Sequence, residues 1–136
     1  MRDQLFELVN EAGKAIMEIY DLGEVPDLVE YKDDNSPLTK ADKASNDIII
    51  SRLPEIKNIP ILSEESKMVG FEERKGWEEF WLVDPLDGTK EFIRRNGEFT
   101  VNIALIKNGR PVLGIIGAPE KKSCLLWRDG FRGPEI

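Results

Sequence analysis

Phe80-Trp81-Leu82-Val83-Asp84-Pro85-Leu86-Asp87-Gly88-Thr89 joins an apolar run to an acidic turn. The four apolar residues are typical of a buried strand. Pro85 fixes φ and cannot continue a ladder, so the backbone is expected to turn there, while Gly88 lets backbone N–H groups come close to an anion. The pattern predicts a metal and phosphate site at a strand end. An ordinary strand-to-turn junction uses the same residue types and is the alternative.

Composition limits the partners and the types of catalysis that can be expected of this chain. The chain has 136 residues, the length of one domain, and a net charge of −7 with a pI near 4.8. That charge opposes a phosphate-backbone footprint, so nucleic-acid polymers and anionic membranes are not expected partners. The chain has no histidine, which excludes histidine-activated nucleophiles and the usual zinc chemistry. Carboxylates and hydroxyls remain as the candidate functional groups.

Cysteine usage and hydropathy predict a cytoplasmic protein. Cys124 is the only cysteine and lies in an apolar segment, so a buried, inert thiol is expected and a disulfide framework is excluded. The N-terminus lacks the apolar core of a signal peptide, and no stretch approaches the length of a membrane span. No integral membrane segment is expected.

Periodicity in the first half predicts two helices. Apolar residues recur at helical spacing over residues 5–19, and Gly23 supplies a stop. Thr39 and Asp42 have the spacing of a capping box, which predicts a second helix from there to about Leu53, ended by Pro54. Between the helices we expect a short strand at 28–32 and a mobile loop at 33–37. A strand at 59–62 and a surface excursion at 67–79 follow.

The second half predicts an antiparallel sheet. Strands are indicated at 99–106, 111–116 and 124–127, and Asn108-Gly109 between the first two is typical of a two-residue hairpin. The fold class is therefore α+β, with two N-terminal helices packed on a mainly antiparallel sheet. Residues 128–131 indicate one more hairpin turn, but 132–136 are too short to return as a strand. We expect a chain that stops in mid-architecture, with an unpaired edge or an uncovered face.

Four acidic residues, Asp42, Glu64, Asp84 and Asp87, lie at predicted loop or strand ends. Mg²⁺ is commonly held by a few carboxylates together with substrate phosphate and water. Each residue alone is equally explained as a solvated surface charge, and Asp42 as a capping residue.

Three motifs in order resemble the lithium-sensitive, magnesium-dependent phosphomonoesterases, a superfamily that includes inositol monophosphatases and fructose bisphosphatases. They are Ser36-Pro37-Leu38-Thr39-Lys40-Ala41-Asp42, Leu62-Ser63-Glu64-Glu65 and Trp81-Leu82-Val83-Asp84-Pro85-Leu86-Asp87-Gly88-Thr89-Lys90-Glu91-Phe92. The third most resembles the 3′(2′),5′-bisphosphate nucleotidase branch, which removes the 3′-phosphate from adenosine 3′,5′-bisphosphate. The resemblance implies the first half of a layered αβαβα fold, a single N-terminal domain over residues 1–136, and hydrolysis by water that Mg²⁺ activates.

The resemblance also implies metal ligands. Glu64 and Asp84 would hold one Mg²⁺ together with the main-chain carbonyl of Leu86. Asp84 and Asp87 would contribute to a second. Two or more metal sites are implied for the complete family fold.

Substrate binding and catalysis are implied for the residues that follow. Gly88 and Thr89 would bind the phosphate through backbone N–H groups at the start of a short helix. Asp42 would hydrogen-bond Thr89, and the pair would orient the attacking water. Lys90, Arg94 and Arg95 either meet substrate phosphate or are surface charge.

The resemblance covers only about the first half of the family's length. The family's C-terminal domain, with a further metal-binding aspartate in a Trp-Asp motif, is absent from residues 1–136, so the second metal site is expected to be incomplete. We expect the isolated chain to have little or no activity and to associate through its uncovered sheet face or with a missing C-terminal half. The alternatives are an inositol-phosphate or sugar-phosphate phosphatase, a non-catalytic metal-binding fragment or half of a split enzyme, and a plain α+β interaction domain.

Overall fold

The computed structural model describes residues 1–22, 29–31, 37–65 and 70–128, with only the backbone given at 29–31 and 37–39. The elements are α1 (Arg2–Tyr20), β1 (Val29–Tyr31), β2 (Pro37–Thr39), α2 (Lys40–Ile56), β3 (Ile61–Ser63), α3 (Phe71–Arg74), β4 (Glu79–Asp87), α4 (Thr89–Arg94), β5 (Thr100–Lys107), β6 (Arg110–Ala118) and β7 (Ser123–Arg128).

Five strands form one sheet in the order β3-β4-β5-β6-β7. β3 and β4 are parallel, whereas the other neighbouring pairs are antiparallel. β1 and β2 form a separate antiparallel pair. The α+β class with a mainly antiparallel sheet is therefore confirmed.

The two long helices pack against each other and against one face of the sheet, as the periodicity predicted. α1 buries a stripe of apolar residues at helical spacing: Leu5, Leu8, Val9, Ala12 and Ile16. α1 approaches β6 closely at Gly117, where an added Cβ would lie 2.4 Å from Cγ1 of Val9. An alanine at position 117 would therefore force Val9 to move.

The opposite face of the sheet carries large apolar side chains that are exposed. They are Leu82, Ile116, Leu125 and Trp127, whose relative exposures lie between 37% and 46%. Ile116 pairs with Leu125, and Trp127 pairs with Gly114. The expected association through this face stays a prediction.

The predicted hairpin is present. Asn108 and Gly109 have φ values of 51° and 76°, and Lys107 pairs with Arg110 across the turn. Both central residues thus adopt the left-handed conformation that a two-residue hairpin requires.

Several predicted boundaries were wrong. Pro54 does not end α2, which continues to Ile56, and the Lys57 N–H donates to the Leu53 carbonyl at 3.0 Å. A proline in the last turn removes only its own hydrogen bond, and the turn closes around it. The strand Pro37–Thr39 was not predicted, and the excursion at 67–79 contains the short helix Phe71–Arg74.

Some predictions lie outside the described residues. These are the stop at Gly23, most of the loop at 33–37, and the turn and tail after residue 128. No helix in the described ranges is long and apolar enough to cross a membrane.

Candidate functional site

Parallel pairing of β3 and β4 brings two of the predicted ligands to one edge of the sheet. Ser63 pairs with Val83, so Glu64 and Asp84 are the next residues along two neighbouring strands that run in the same direction. Glu64 is exposed, and Asp84 is half-buried. Both carboxylates therefore lie at the same edge of the sheet, which makes this edge acidic.

β4 does not end at Pro85, contrary to the prediction from its missing N–H. Asp84 pairs with Asn102, and Asp87 pairs with Thr100. Between these two pairings β4 advances by three residues and β5 by only two, so β4 contains one extra residue. This is a bulge, which accommodates a proline because the extra residue needs no ladder hydrogen bond. The bulge carries both aspartates and Leu86.

Asp84 is held in an unfavourable state for a carboxylate. Its Oδ1 atom is buried and has no hydrogen-bond partner. Burial, then the charge of Glu64, then that of Asp87 raise the pKa of Asp84 to about 6, although a hydrogen bond from the Leu86 backbone acts in the opposite direction. A cation at this position would relieve both the desolvation and the repulsion.

The predicted metal ligands do not form a finished cage. Within the described ranges, no group of three or more carboxylate or thiol side chains is arranged to hold a metal ion. Glu64, Asp84 and Asp87 nevertheless line one cleft of about 460 Å³, which continues across the exposed apolar face of the sheet to Trp127. Mg²⁺ retains several waters and needs few protein carboxylates, so this donor set suits it.

Thr89 and Asp42 meet beside the bulge. The Thr89 hydroxyl donates to Oδ1 of Asp42 at 3.0 Å and lies 3.4 Å from the Leu86 carbonyl. Asp42 is fully buried in α2. This is the hydrogen bond that the resemblance implied, while the roles of the two residues in a reaction stay predictions.

Gly88 joins the bulge to α4 in a conformation that suits glycine. Its φ is 90°, and an added Cβ would lie 3.2 Å from the Glu98 carbonyl oxygen. The glycine therefore lets the backbone turn closely past the segment that precedes β5 and lead into Thr89.

The basic residues near the site differ in their surroundings. Lys90 and Arg94 are exposed. The Arg95 guanidinium lies 4.1 Å from the centre of the Tyr20 ring, so a cation–π contact accounts for this side chain.

Sequence reasoning did not identify Ser45 and Asn46. The Ser45 hydroxyl donates to the Pro85 carbonyl at 2.7 Å, and the Ser63 hydroxyl donates to Oδ1 of Asn46 at 2.6 Å. The available signal was polar residues at positions three and four after Asp42, on the side of α2 where a core-facing helix is usually apolar.

Cys124, predicted to be a buried and inert thiol, is only partly buried. Burial raises the pKa of its thiol. A raised pKa disfavours the thiolate, which is the reactive form.

Comparisons with known proteins agree with this architecture. A family model described as the inositol monophosphatase family matches residues 1–130. The 3′(2′),5′-bisphosphate nucleotidase CysQ of Shigella flexneri is 55% identical over 120 residues, covering 88% of this chain and 48% of that protein. The crystal structure of CysQ from Bacteroides thetaiotaomicron matches with a TM-score of 0.78 and 46% identity, covering 96% of this chain and 46% of the other.

A second solved structure that matches is of a protein that is not called CysQ. The crystal structure of the extragenic suppressor protein SuhB from Bartonella henselae matches with a TM-score of 0.83 and 28% identity, covering 98% of this chain and 50% of that one. The chain thus spans about half the length of the relatives that it matches. With a family match over nearly all of its residues, this chain belongs to the inositol monophosphatase family.

Proposed function

We propose that this chain provides the metal- and phosphate-binding part of a Mg²⁺-dependent phosphomonoesterase that hydrolyses the 3′-phosphate of adenosine 3′,5′-bisphosphate, giving AMP and phosphate. The observation that carries the proposal is the unpartnered Asp84 oxygen beside two further carboxylates and the Thr89–Asp42 pair. The choice of substrate is supported by the relatives named as 3′(2′),5′-bisphosphate nucleotidases.

The proposed metal ligands are Glu64, Asp84, the Leu86 carbonyl and Asp87. When bound, Mg²⁺ would neutralise phosphate charge, lower the pKa of a water molecule and stabilise the leaving alkoxide. The three side chains supply the negative charge that attracts the metal, and the bulge of β4 carries Asp84, Leu86 and Asp87 within four residues. A second metal position would be incomplete with these ligands alone.

The chain's own contribution to the reaction is orientation and proton placement. Thr89 donates its hydroxyl proton to Oδ1 of Asp42, which leaves the lone pairs of Oγ1 free to accept a hydrogen bond from the attacking water. Because Asp42 is buried, the direction of this hydroxyl is fixed before substrate arrives. The backbone N–H groups of Gly88 and Thr89 would bind phosphate oxygens and place phosphorus opposite that water.

The test is phosphate release from adenosine 3′,5′-bisphosphate and, separately, from inositol monophosphate. The chain should be assayed alone and fused to the remaining half of the Shigella flexneri nucleotidase. We expect little release from the chain alone and Mg²⁺-dependent release from the nucleotide by the fusion, abolished by Asp84→Asn. The matched control is Asp47→Asn, the same change at an exposed residue, which should leave the rate unaltered.

Two other results would change the assignment. Faster release from inositol monophosphate would favour an inositol-phosphate or sugar-phosphate phosphatase. A folded fusion that binds Mg²⁺ but releases no phosphate would favour a non-catalytic metal-binding protein.

A further inference from the structure

Three polar side chains occupy the buried face of α2. Asp42, Ser45 and Asn46 have relative exposures of 0%, 0% and 7%. Their spacing of three and four residues places them on the same side of the helix, which continues with the buried Ile49 and Leu53. Burying polar groups is costly unless they are hydrogen-bonded, so the partners of these side chains are informative.

Each of the three is hydrogen-bonded to a different segment of the site. Asp42 accepts from Thr89 at the start of α4. Ser45 donates to the Pro85 carbonyl in the bulge of β4, and Asn46 accepts from Ser63 at the end of β3. One helix face is thus connected to all three segments that carry the candidate ligands and Thr89.

We propose that Ser45 and Asn46 are positioning residues, which hold the Asp84–Asp87 bulge and the Glu64 turn in fixed places relative to Asp42 and Thr89. The inference rests on the proposed function, because it assumes that these segments bind Mg²⁺ and phosphate. Neither side chain is required to touch metal or substrate. Their effect passes through the backbone of the residues that they bind.

The Ser45 contact acts on the part of β4 that has lost its regular pairing. Pro85 has no N–H, and the ladder to β5 is interrupted between Asp84 and Asp87. The 2.7 Å hydrogen bond that Ser45 donates holds the carbonyl of Pro85, the residue between Asp84 and Leu86. It therefore restrains the peptide that sets the directions of the Asp84 side chain and the Leu86 carbonyl.

The Asn46 contact acts on the neighbouring strand. Ser63 immediately precedes Glu64, and its hydroxyl also accepts a hydrogen bond from the Glu65 N–H at 3.4 Å. A Ser63 side chain held by Asn46 thus fixes the turn that presents Glu64. Groups of this kind around metal ligands commonly change metal affinity by about 10–100-fold when removed.

The experiment uses Ser45→Ala and Asn46→Ala in the full chain, with Ser51→Ala as the matched control. Ser51 lies on the exposed side of α2, and its hydroxyl donates to the Ile48 carbonyl at 2.9 Å. Two readouts are needed: the Mg²⁺ dissociation constant by calorimetry, and amide hydrogen exchange in EDTA. Thermal unfolding records whether each variant is folded at the temperature of measurement.

We expect Ser45→Ala and Asn46→Ala each to weaken Mg²⁺ binding about tenfold, and Ser51→Ala to leave it unchanged. Exchange should accelerate at residues 86–88 in Ser45→Ala and at residues 64–65 in Asn46→Ala. The double variant Asn46→Ala/Ser63→Ala should weaken Mg²⁺ binding by less than the product of the two single effects, since both changes remove the Ser63–Asn46 hydrogen bond.

Two outcomes would overturn the proposal. One is a lower unfolding temperature with unchanged Mg²⁺ affinity, which would make both residues purely structural. The other is exchange that accelerates uniformly or not at all. If the unsubstituted chain binds no Mg²⁺, the proposed function fails, and the exchange pattern in EDTA still decides whether Ser45 and Asn46 hold these two segments.

Discussion

Removing the charge of Asp84 is expected to stabilise the metal-free protein while abolishing its response to Mg²⁺. The carboxyl has its pKa raised from 3.8 to about 6 by burial, Glu64 and Asp87. One pKa unit corresponds to about 1.4 kcal/mol, so the full shift corresponds to about 3 kcal/mol. Because the side chain is partly exposed, solvent screening reduces this, and we expect a gain of about 1–2 kcal/mol for Asp84→Asn.

The sign of the effect depends on pH. A carboxyl whose pKa is raised on folding costs nothing below its unfolded pKa, because it is protonated in both states. The cost develops as pH rises from about 4 to about 6, where the folded protein must also ionise the group. The advantage of Asp84→Asn should therefore be complete at about pH 7.5 and absent at about pH 3.5.

The assay is urea unfolding in EDTA at both pH values. Asp47→Asn is the control, since Asp47 is an exposed residue of α2, and it should change stability little at either pH. Mg²⁺ at about 100 times its dissociation constant should then stabilise the original protein by about 2.7 kcal/mol and Asp84→Asn hardly at all. Equal or lower stability of Asp84→Asn at about pH 7.5 in EDTA would refute the reasoning.

Three further predictions concern single residues. In the fusion with the remaining half of the Shigella flexneri nucleotidase, Thr89→Val should lower phosphate release by about 100-fold or more and Thr89→Ser should retain most of the rate, because the hydroxyl orients the water. Equal rates for valine and serine would contradict that role. Gly117→Ala should lower the free energy of unfolding in urea by about 1–3 kcal/mol, since its Cβ would overlap Val9. The control is Gly114→Ala on the same strand, which should be tolerated because no atom lies within 4 Å of the added Cβ. Gly88→Ala should destabilise the chain by about 1 kcal/mol or more because its φ is 90°, and stability equal to that of Gly114→Ala would show that the strain is relieved elsewhere.

The parts of the fold that sequence could predict depend on local chemistry. The apolar periodicity of α1 and the Asn108-Gly109 hairpin were visible because helix faces and tight turns are specified within a few residues. β2 was not predicted, because a three-residue strand containing Pro37 becomes a strand only through its pairing with Val29–Tyr31. Pro85 misled the prediction for a related reason: whether a proline ends a strand depends on the partner strand, here interrupted by a bulge.

Only part of the candidate site could be predicted from the sequence. Residue types alone pointed to the Asp84–Thr89 turn, but its association with Asp42 came from the family resemblance, since the hydrogen-bonded residues lie 47 positions apart in the sequence. Ser45 and Asn46 were missed because their hydrogen-bond partners, Pro85 and Ser63, are distant in the sequence. The local sequence around α2 does not specify those partners. Polar residues on a buried helix face are a signal that such partners exist.

The parallel pairing of β3 and β4 has a consequence for how this protein could be modified. Three backbone pairings, from Ile61 with Trp81 to Ser63 with Val83, bring the turn at Glu64 and the bulge at Asp84 to one edge of the sheet, whereas α3 in the connection between the strands contributes no buried residue. A longer connection after α3 should therefore leave these pairings unchanged. A peptide tag or a reporter domain inserted after Arg74 should leave the two carboxylates in register, which makes this connection the natural place for engineering.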